Sequence, residues 1–201
     1  GVDSLSLSAH LFGGPMGVGA LYVKKGTAIQ KLIDGRTSED AYRAGELDVP
    51  AVVAMGKAVE EVTENVEERS KYLRSIRRYF LKKVSEAIHN IELNGHASQR
   101  LANHASLSFE GADGEAVAVL LDKEGIYVST SASAGRVSQK PSYVLLAMGK
   151  ELEQAESSVR FSFSPTITKE DIDDIVEKLR KIVKKVRSIS AIRIYKNKVE
   201  L

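Results

Sequence analysis

Leu5-Ser6-Leu7-Ser8-Ala9-His10-Leu11-Phe12-Gly13-Gly14-Pro15-Met16-Gly17-Val18-Gly19-Ala20-Leu21-Tyr22-Val23 is the stretch from which the fold is read. Residues 5–8 are apolar and small, with strand character. Residues 12–19 place Gly13, Gly14, Gly17 and Gly19 around Pro15, a composition that turns tightly and lets backbone approach backbone closely. Residues 18–23 read as a second strand. Two strands joined by a glycine turn predict a hairpin-like unit. A chain that opens on such a hairpin reads as the end of a larger sheet.

Outward from the hairpin, residues 26–50 are polar and irregular, and Pro50 is placed to open a helix. Val52, Met55, Val59, Val62 and Val66 follow at spacings of 3, 4, 3 and 4, and Leu73, Ile76, Phe80, Val84 and Ile88 resume the stripe. This predicts a long helix over 51–89 linking two parts of the fold. From Asn90 onward short strands (91–93, 105–109, 126–129, 159–163) alternate with helices. Asp113 is placed to cap one helix, Pro141 to start another through Gln154, and Thr168 with Asp171 to cap the last. Ile172, Ile175, Leu179, Ile182 and Val186 are its expected stripe. The fold class is α/β: residues 1–50 are the remnant of a large domain, 51–89 the linking helix, and 90–201 a small α/β domain.

The 29 basic and 27 acidic residues leave a net charge of +2, which gives no electrostatic reason to expect nucleic acid. The basic run at 178–187 reads as a solvated helix face. The absence of cysteine excludes disulfides, Cys-based metal sites and a catalytic thiol. No apolar run reaches the roughly 18–20 residues of a membrane span, and no secretion signal is visible at the N-terminus. A cytoplasmic protein is expected. His89, His96 and His104 lack metal-ligand spacing and read as surface or satisfied loop residues.

Several motifs now carry a resemblance. Ser6-Leu7-Ser8-Ala9-His10, Gly14-Pro15 and Gly17-Val18-Gly19-Ala20-Leu21-Tyr22-Val23 resemble the segment around the pyridoxal-phosphate (PLP) lysine of cysteine desulfurases. Arg43-Ala44-Gly45 with Val49-Pro50, then Gly114-Glu115-Ala116, Gly125-Ile126, Pro141-Ser142 and Val159-Arg160-Phe161-Ser162 continue the pattern in order, over about residues 4–186. The resemblance implies the class V aminotransferase family and the C-terminal part of a PLP fold type I protein. It also implies PLP as cofactor, no metal, and sulfur transfer of the kind used in iron–sulfur cluster assembly. In that chemistry a lysine holds PLP, the ring serves as electron sink, and a cysteine thiolate takes the substrate sulfur. Ser8 and His10 match cofactor contacts, and Arg160 matches the grip on the substrate α-carboxylate.

Three positions depart from the pattern. The lysine slot after His10 is Leu11, and an alkyl group cannot form an imine; Lys24 and Lys25 lie beyond the next strand and do not match it. The threonine that reaches PLP phosphate after Arg43-Ala44-Gly45 is replaced by Glu46, whose carboxylate repels a phosphate dianion by about 1 kcal/mol or more when partly desolvated. Arg36 is the one candidate to offset it. Counting back from Pro141-Ser142 puts Ala134 in the cysteine slot; Ser133 beside it cannot replace a thiolate. Met16 and Tyr143 also stand where relatives often carry lysine and histidine. The resemblance further implies that the ring-stacking histidine and ring-nitrogen aspartate of the family's N-terminal half are supplied elsewhere.

Three readings stay open. The chain is a non-catalytic structural or regulatory partner, forming a homo- or hetero-oligomer with a desulfurase-type chain. Alternatively it is half of a two-chain PLP enzyme completed by a separate N-terminal polypeptide. Or it is an active desulfurase with altered residues. None involves nucleic acid or membrane.

Overall fold

The structure is a computed structural model and describes residues 1–39, 42–130 and 141–190. It divides into two compact units, Gly1–Val66 and Glu67–Leu201.

In the first unit, β1 (Ser4–Ser8) and β2 (Gly19–Val23) form the expected antiparallel hairpin, with Leu5 opposite Tyr22 and Leu7 opposite Ala20. The strict Leu/Ser alternation of β1 puts its leucines on one face. Between the strands lies a one-turn 3₁₀ helix, Ala9–Phe12, ended by Gly13 at φ 93°. Gly19 has no room for a side chain, because a Cβ there would stand 2.5 Å from the Leu7 carbonyl oxygen. The stretch 26–50, read as irregular, contains a second small hairpin, β3 (Thr37–Glu39) with β4 (Arg43–Ala44). Helix α1 (Val49–Glu64) starts as the sequence implies: Asp48 accepts the Ala51 amide at 3.1 Å, and Pro50 sits in the first turn.

The helical stretch expected over 51–89 is two helices. It is interrupted at Asn65, and α2 (Val66–Ala87) follows. The buried stripe of α2 is Leu73, Ile76, Phe80 and Val84, with one charged member, Arg77.

The second unit is built on an antiparallel sheet ordered β5 (Ile91–Leu93), β6 (His104–Phe109), β8 (Ser158–Ser162), β7 (Ser129–Thr130). Strand alternation gives it two unlike faces. Ile91, Ala105, Leu107, Phe109, Val159 and Phe161 join the core with Val117 and Leu121 of α3 (Gly114–Asp122) and the buried stripe of α6 (Lys169–Ile189). Phe80 reaches this core from α2, its ring 4.8 Å from that of Phe161 and 5.1 Å from that of Phe163. The α6 stripe includes Val176 and Val183 as well as the expected residues, with Ile175 only partly buried. A polar knot of the sheet joins β5, β6 and β8, where Asn94 Nδ2 donates to the hydroxyls of Ser106, Ser108 and Ser158 at 3.0–3.2 Å.

Asp113 and Thr168 cap α3 and α6 as expected. The helix expected from Pro141 through Gln154 is instead two short ones, α4 (Tyr143–Ala147) and α5 (Leu152–Glu156). Gly149, at φ 83°, turns the chain between them, and a left-handed residue cannot continue a helix. The strand expected over 126–129 begins only at Ser129, while Ile126 packs against the core.

Candidate functional site

Ser8, His10 and Leu11 are brought together by the 3₁₀ turn after β1. The Ala9 amide donates to the Val18 carbonyl at 3.1 Å, and the Gly14 amide returns to the Ala9 carbonyl at 2.8 Å. Ala9 is fully buried, so its neighbours are turned outward: Ser8 is half-buried, His10 is exposed, and Leu11 is 78% exposed. Ser8 has extended backbone and its hydroxyl makes no capping bond. Leu11 thus presents an isobutyl group to solvent at the position where the resembled family presents an amine. Lys24 does not take its place. It sits at the end of β2, its amide bonded to the Asp3 carbonyl at 2.8 Å and its ammonium 3.7 Å from the Asp3 carboxylate, both side chains largely exposed.

Glu46 is exposed, and its carbonyl accepts from Arg43 Nη1 at 3.4 Å. Arg36 meets this segment through its own carbonyl, which accepts the Gly45 amide at 3.1 Å. The 3₁₀ turn of the first unit offers no amine on which PLP could be held covalently. Ala134, expected in the cysteine slot, and Ser133 lie outside the described residues. Of the nearby residues, Tyr143 is 82% exposed, and Ser142 caps α4 by accepting the Leu145 amide at 3.4 Å.

Arg160 belongs to the second unit. It stands on β8 directly across from Ser106 of β6 and Ser129 of β7, exposed and without an ion-pair partner among the described residues. The same face carries His104, opposite Ser162, diagonal to Arg160. His104 was expected to be a surface or satisfied loop histidine. It is instead half-buried on a strand, and its pKa is lowered first by burial, then by the charges of Arg100, Arg160 and Arg77. His89 and His96 are exposed as expected, and His96 Nδ1 accepts the Ser98 and Gln99 amides at 3.1 and 2.9 Å. Arg77 and Arg100 escaped the sequence reading. The available signal was Arg77's position inside an otherwise apolar stripe. Among the described residues no group of three or more histidines and carboxylates could hold a metal, and no helix is long and apolar enough to cross a membrane.

Residues 1–175 match the profile of the Aminotransferase class-V family. The chain is 42% identical over 190 residues to a cysteine desulfurase IscS of Dictyoglomus turgidum, covering 94% of this chain and 48% of that protein. It is 41% identical over 189 residues to cysteine desulfurase IscS of Methanosarcina thermophila, covering 94% and 46%. Among solved structures it is similar to a NifS-like protein from Rickettsia africae (TM-score 0.81, 28% identity, 91% of this chain and 48% of that one). A second NifS-like protein gives a TM-score of 0.81 at 30% identity, covering 92% and 47%. The chain spans about half the length of the curated relatives it matches. The ordered motifs, the hairpin with its 3₁₀ turn and these similarities converge: the chain belongs to the class-V aminotransferase family.

Proposed function

We propose that this polypeptide performs no desulfuration itself and serves as a structural or regulatory partner of a desulfurase-type chain. The observation that carries the reading is Leu11, exposed on the turn where the family places its PLP lysine. Ala134 in the cysteine slot supports it, since no thiolate is present anywhere in the sequence to accept sulfur.

A second reading is favoured by Ser8, His10 and Arg160, which keep the family's polar contacts. In it, the chain is half of a two-chain PLP enzyme and a companion polypeptide donates the lysine. PLP, when bound, would supply the electron sink.

Size-exclusion chromatography with light scattering, on the chain mixed with a desulfurase-type chain from the same organism, tests the first reading. A stable complex is expected; a chain that stays monomeric in every mixture contradicts it. Borohydride reduction and intact-mass analysis of the same mixtures test the second. One PLP per complex on the companion chain supports it, and no covalent PLP on any companion rules it out.

A further inference from the structure

Asparagine or aspartate before glycine is the pairing most open to succinimide chemistry, because glycine has no side chain to obstruct attack by its own amide nitrogen. The sequence holds three such pairs: Asp34-Gly35, Asn94-Gly95 and Asp113-Gly114. In an unfolded chain Asn94-Gly95 is the most reactive of them. It expels ammonia from a neutral amide, whereas a carboxylate must first be protonated. The fold gives the three pairs unlike surroundings.

Asn94 is 4% exposed. Its Nδ2 donates to the hydroxyls of Ser106, Ser108 and Ser158, its Oδ1 accepts from the Ser108 hydroxyl at 3.2 Å, and its amide donates to the Ser106 carbonyl at 2.9 Å. Ring closure would turn the side chain back onto the Gly95 amide and break this knot, so it waits on local opening. Asp113 is exposed, but its Oδ1 accepts the Ala116 amide at 2.7 Å and its carbonyl accepts the Val117 amide at 3.1 Å. Gly114 is buried against the Glu156 and Ser158 carbonyls. Its nitrogen belongs to the first turn of α3 and is not free to swing onto the carboxyl while the cap is intact.

Asp34 meets neither restraint. It lies outside helix and strand, and its side chain is 88% exposed. Its carboxylate is 2.8 Å from the Lys31 ammonium, an exposed pair of the kind that holds a side chain only weakly. The Gly35 amide makes no hydrogen bond among the described residues.

We propose that Asp34 is a modification site at which the folded chain forms isoaspartate, ahead of Asn94 and Asp113. The Gly35 nitrogen attacks Cγ of the protonated Asp34 carboxyl. A C–N bond forms, the nitrogen gives up its proton, and the carboxyl hydroxyl leaves as water. Water then opens the ring. Attack at Cγ restores aspartate; attack at the Asp34 main-chain carbonyl leaves the chain running through Cγ, which is isoaspartate, with no net change of mass. The product carries Cβ in the main chain and a free α-carboxylate, the acceptor group that a carboxyl-methylating repair enzyme takes. The insertion falls just before Arg36, whose carbonyl accepts the Gly45 amide at 3.1 Å. The proposal requires neither PLP nor desulfuration.

The test is storage of the full chain at physiological temperature, folded and in urea. Peptide mapping with electron-transfer fragmentation then separates isoaspartate from aspartate at each of the three positions. In the folded chain position 34 should gain isoaspartate fastest, and faster in mildly acidic than in neutral buffer. In neutral urea Asn94 should overtake it, converting at least about tenfold faster than in the folded chain. Asp34→Glu, whose longer side chain closes such a ring far more slowly, should lose the signal at 34 and leave the other two rates unchanged. Faster conversion at 94 or 113 than at 34 in the folded chain, the same order of rates folded and in urea, or no isoaspartate at 34 would overturn the proposal.

Discussion

Gly14 donates its amide to the Ala9 carbonyl at 2.8 Å, and a Cβ on Gly14 would stand 2.8 Å from the Ala9 Cβ. Ala9 is fully buried and cannot move aside cheaply. Gly14→Ala should therefore lower stability by about 1–3 kcal/mol, the usual effect of overpacking. Thermal or denaturant unfolding measures it. Because Gly13 already supplies the left-handed residue of the turn, Gly13→Ala should also destabilise, through strain and not through contact.

Leu11 should tolerate substitution. Its side chain is 78% exposed, so Leu11→Lys should change stability by no more than about 0.5 kcal/mol. The same variant restores an amine after His10. Intact mass after PLP and borohydride should then show more label at position 11 than the parent shows at any lysine. Desulfuration should not return with it, because Ala134 still provides no thiol.

Gly114 begins α3 under two carbonyls. A Cβ there would meet the Glu156 oxygen at 2.7 Å and the Ser158 oxygen at 2.8 Å. Alanine is the better helix former by about 1 kcal/mol, but these are backbone atoms of the core strand and its lead-in. Gly114→Ala should destabilise on balance, by about 1–3 kcal/mol, and denaturant unfolding gives the sign.

The start of α6 should be pH-dependent. The Thr168 amide donates to Asp171 Oδ2 at 2.8 Å, the Thr168 hydroxyl donates to the same oxygen at 2.9 Å, and the Asp171 amide returns to Thr168 Oγ1 at 3.1 Å. The Thr168 amide first, then its hydroxyl, hold the Asp171 carboxyl below its ordinary value. A depressed carboxyl contributes stability above its unfolded pKa and loses it as pH falls through the folded one. Asp171→Asn should thus lower the melting temperature at neutral pH. The difference from the parent should shrink as pH falls below the ordinary carboxylate range.

Local chemistry was the legible part of this fold. Asp113 and Thr168 announce helix starts because an N-cap needs only residues within one turn, and the glycines around Pro15 announce the hairpin for the same reason. The break at Asn65 was hidden because the apolar spacing runs through it. Gly149 was hidden because nothing in the sequence forces its φ to 83°. The β3–β4 pairing lies in a polar stretch with no alternation to read. For the site, the substituted slots Leu11 and Glu46 could be read directly against the resembled family. The surroundings of His104 could not, since its diagonal neighbour Arg160 lies far away in sequence and comes beside it only once β6 and β8 pair.

The central claim is that Leu11 leaves this polypeptide without desulfurase chemistry of its own. Sulfide release from cysteine, measured with the chain, PLP and a thiol reductant, tests it most directly against a protein-free control with the same PLP. The account predicts a rate equal to that control. A rate that rises above it in proportion to the concentration of this chain would contradict the account.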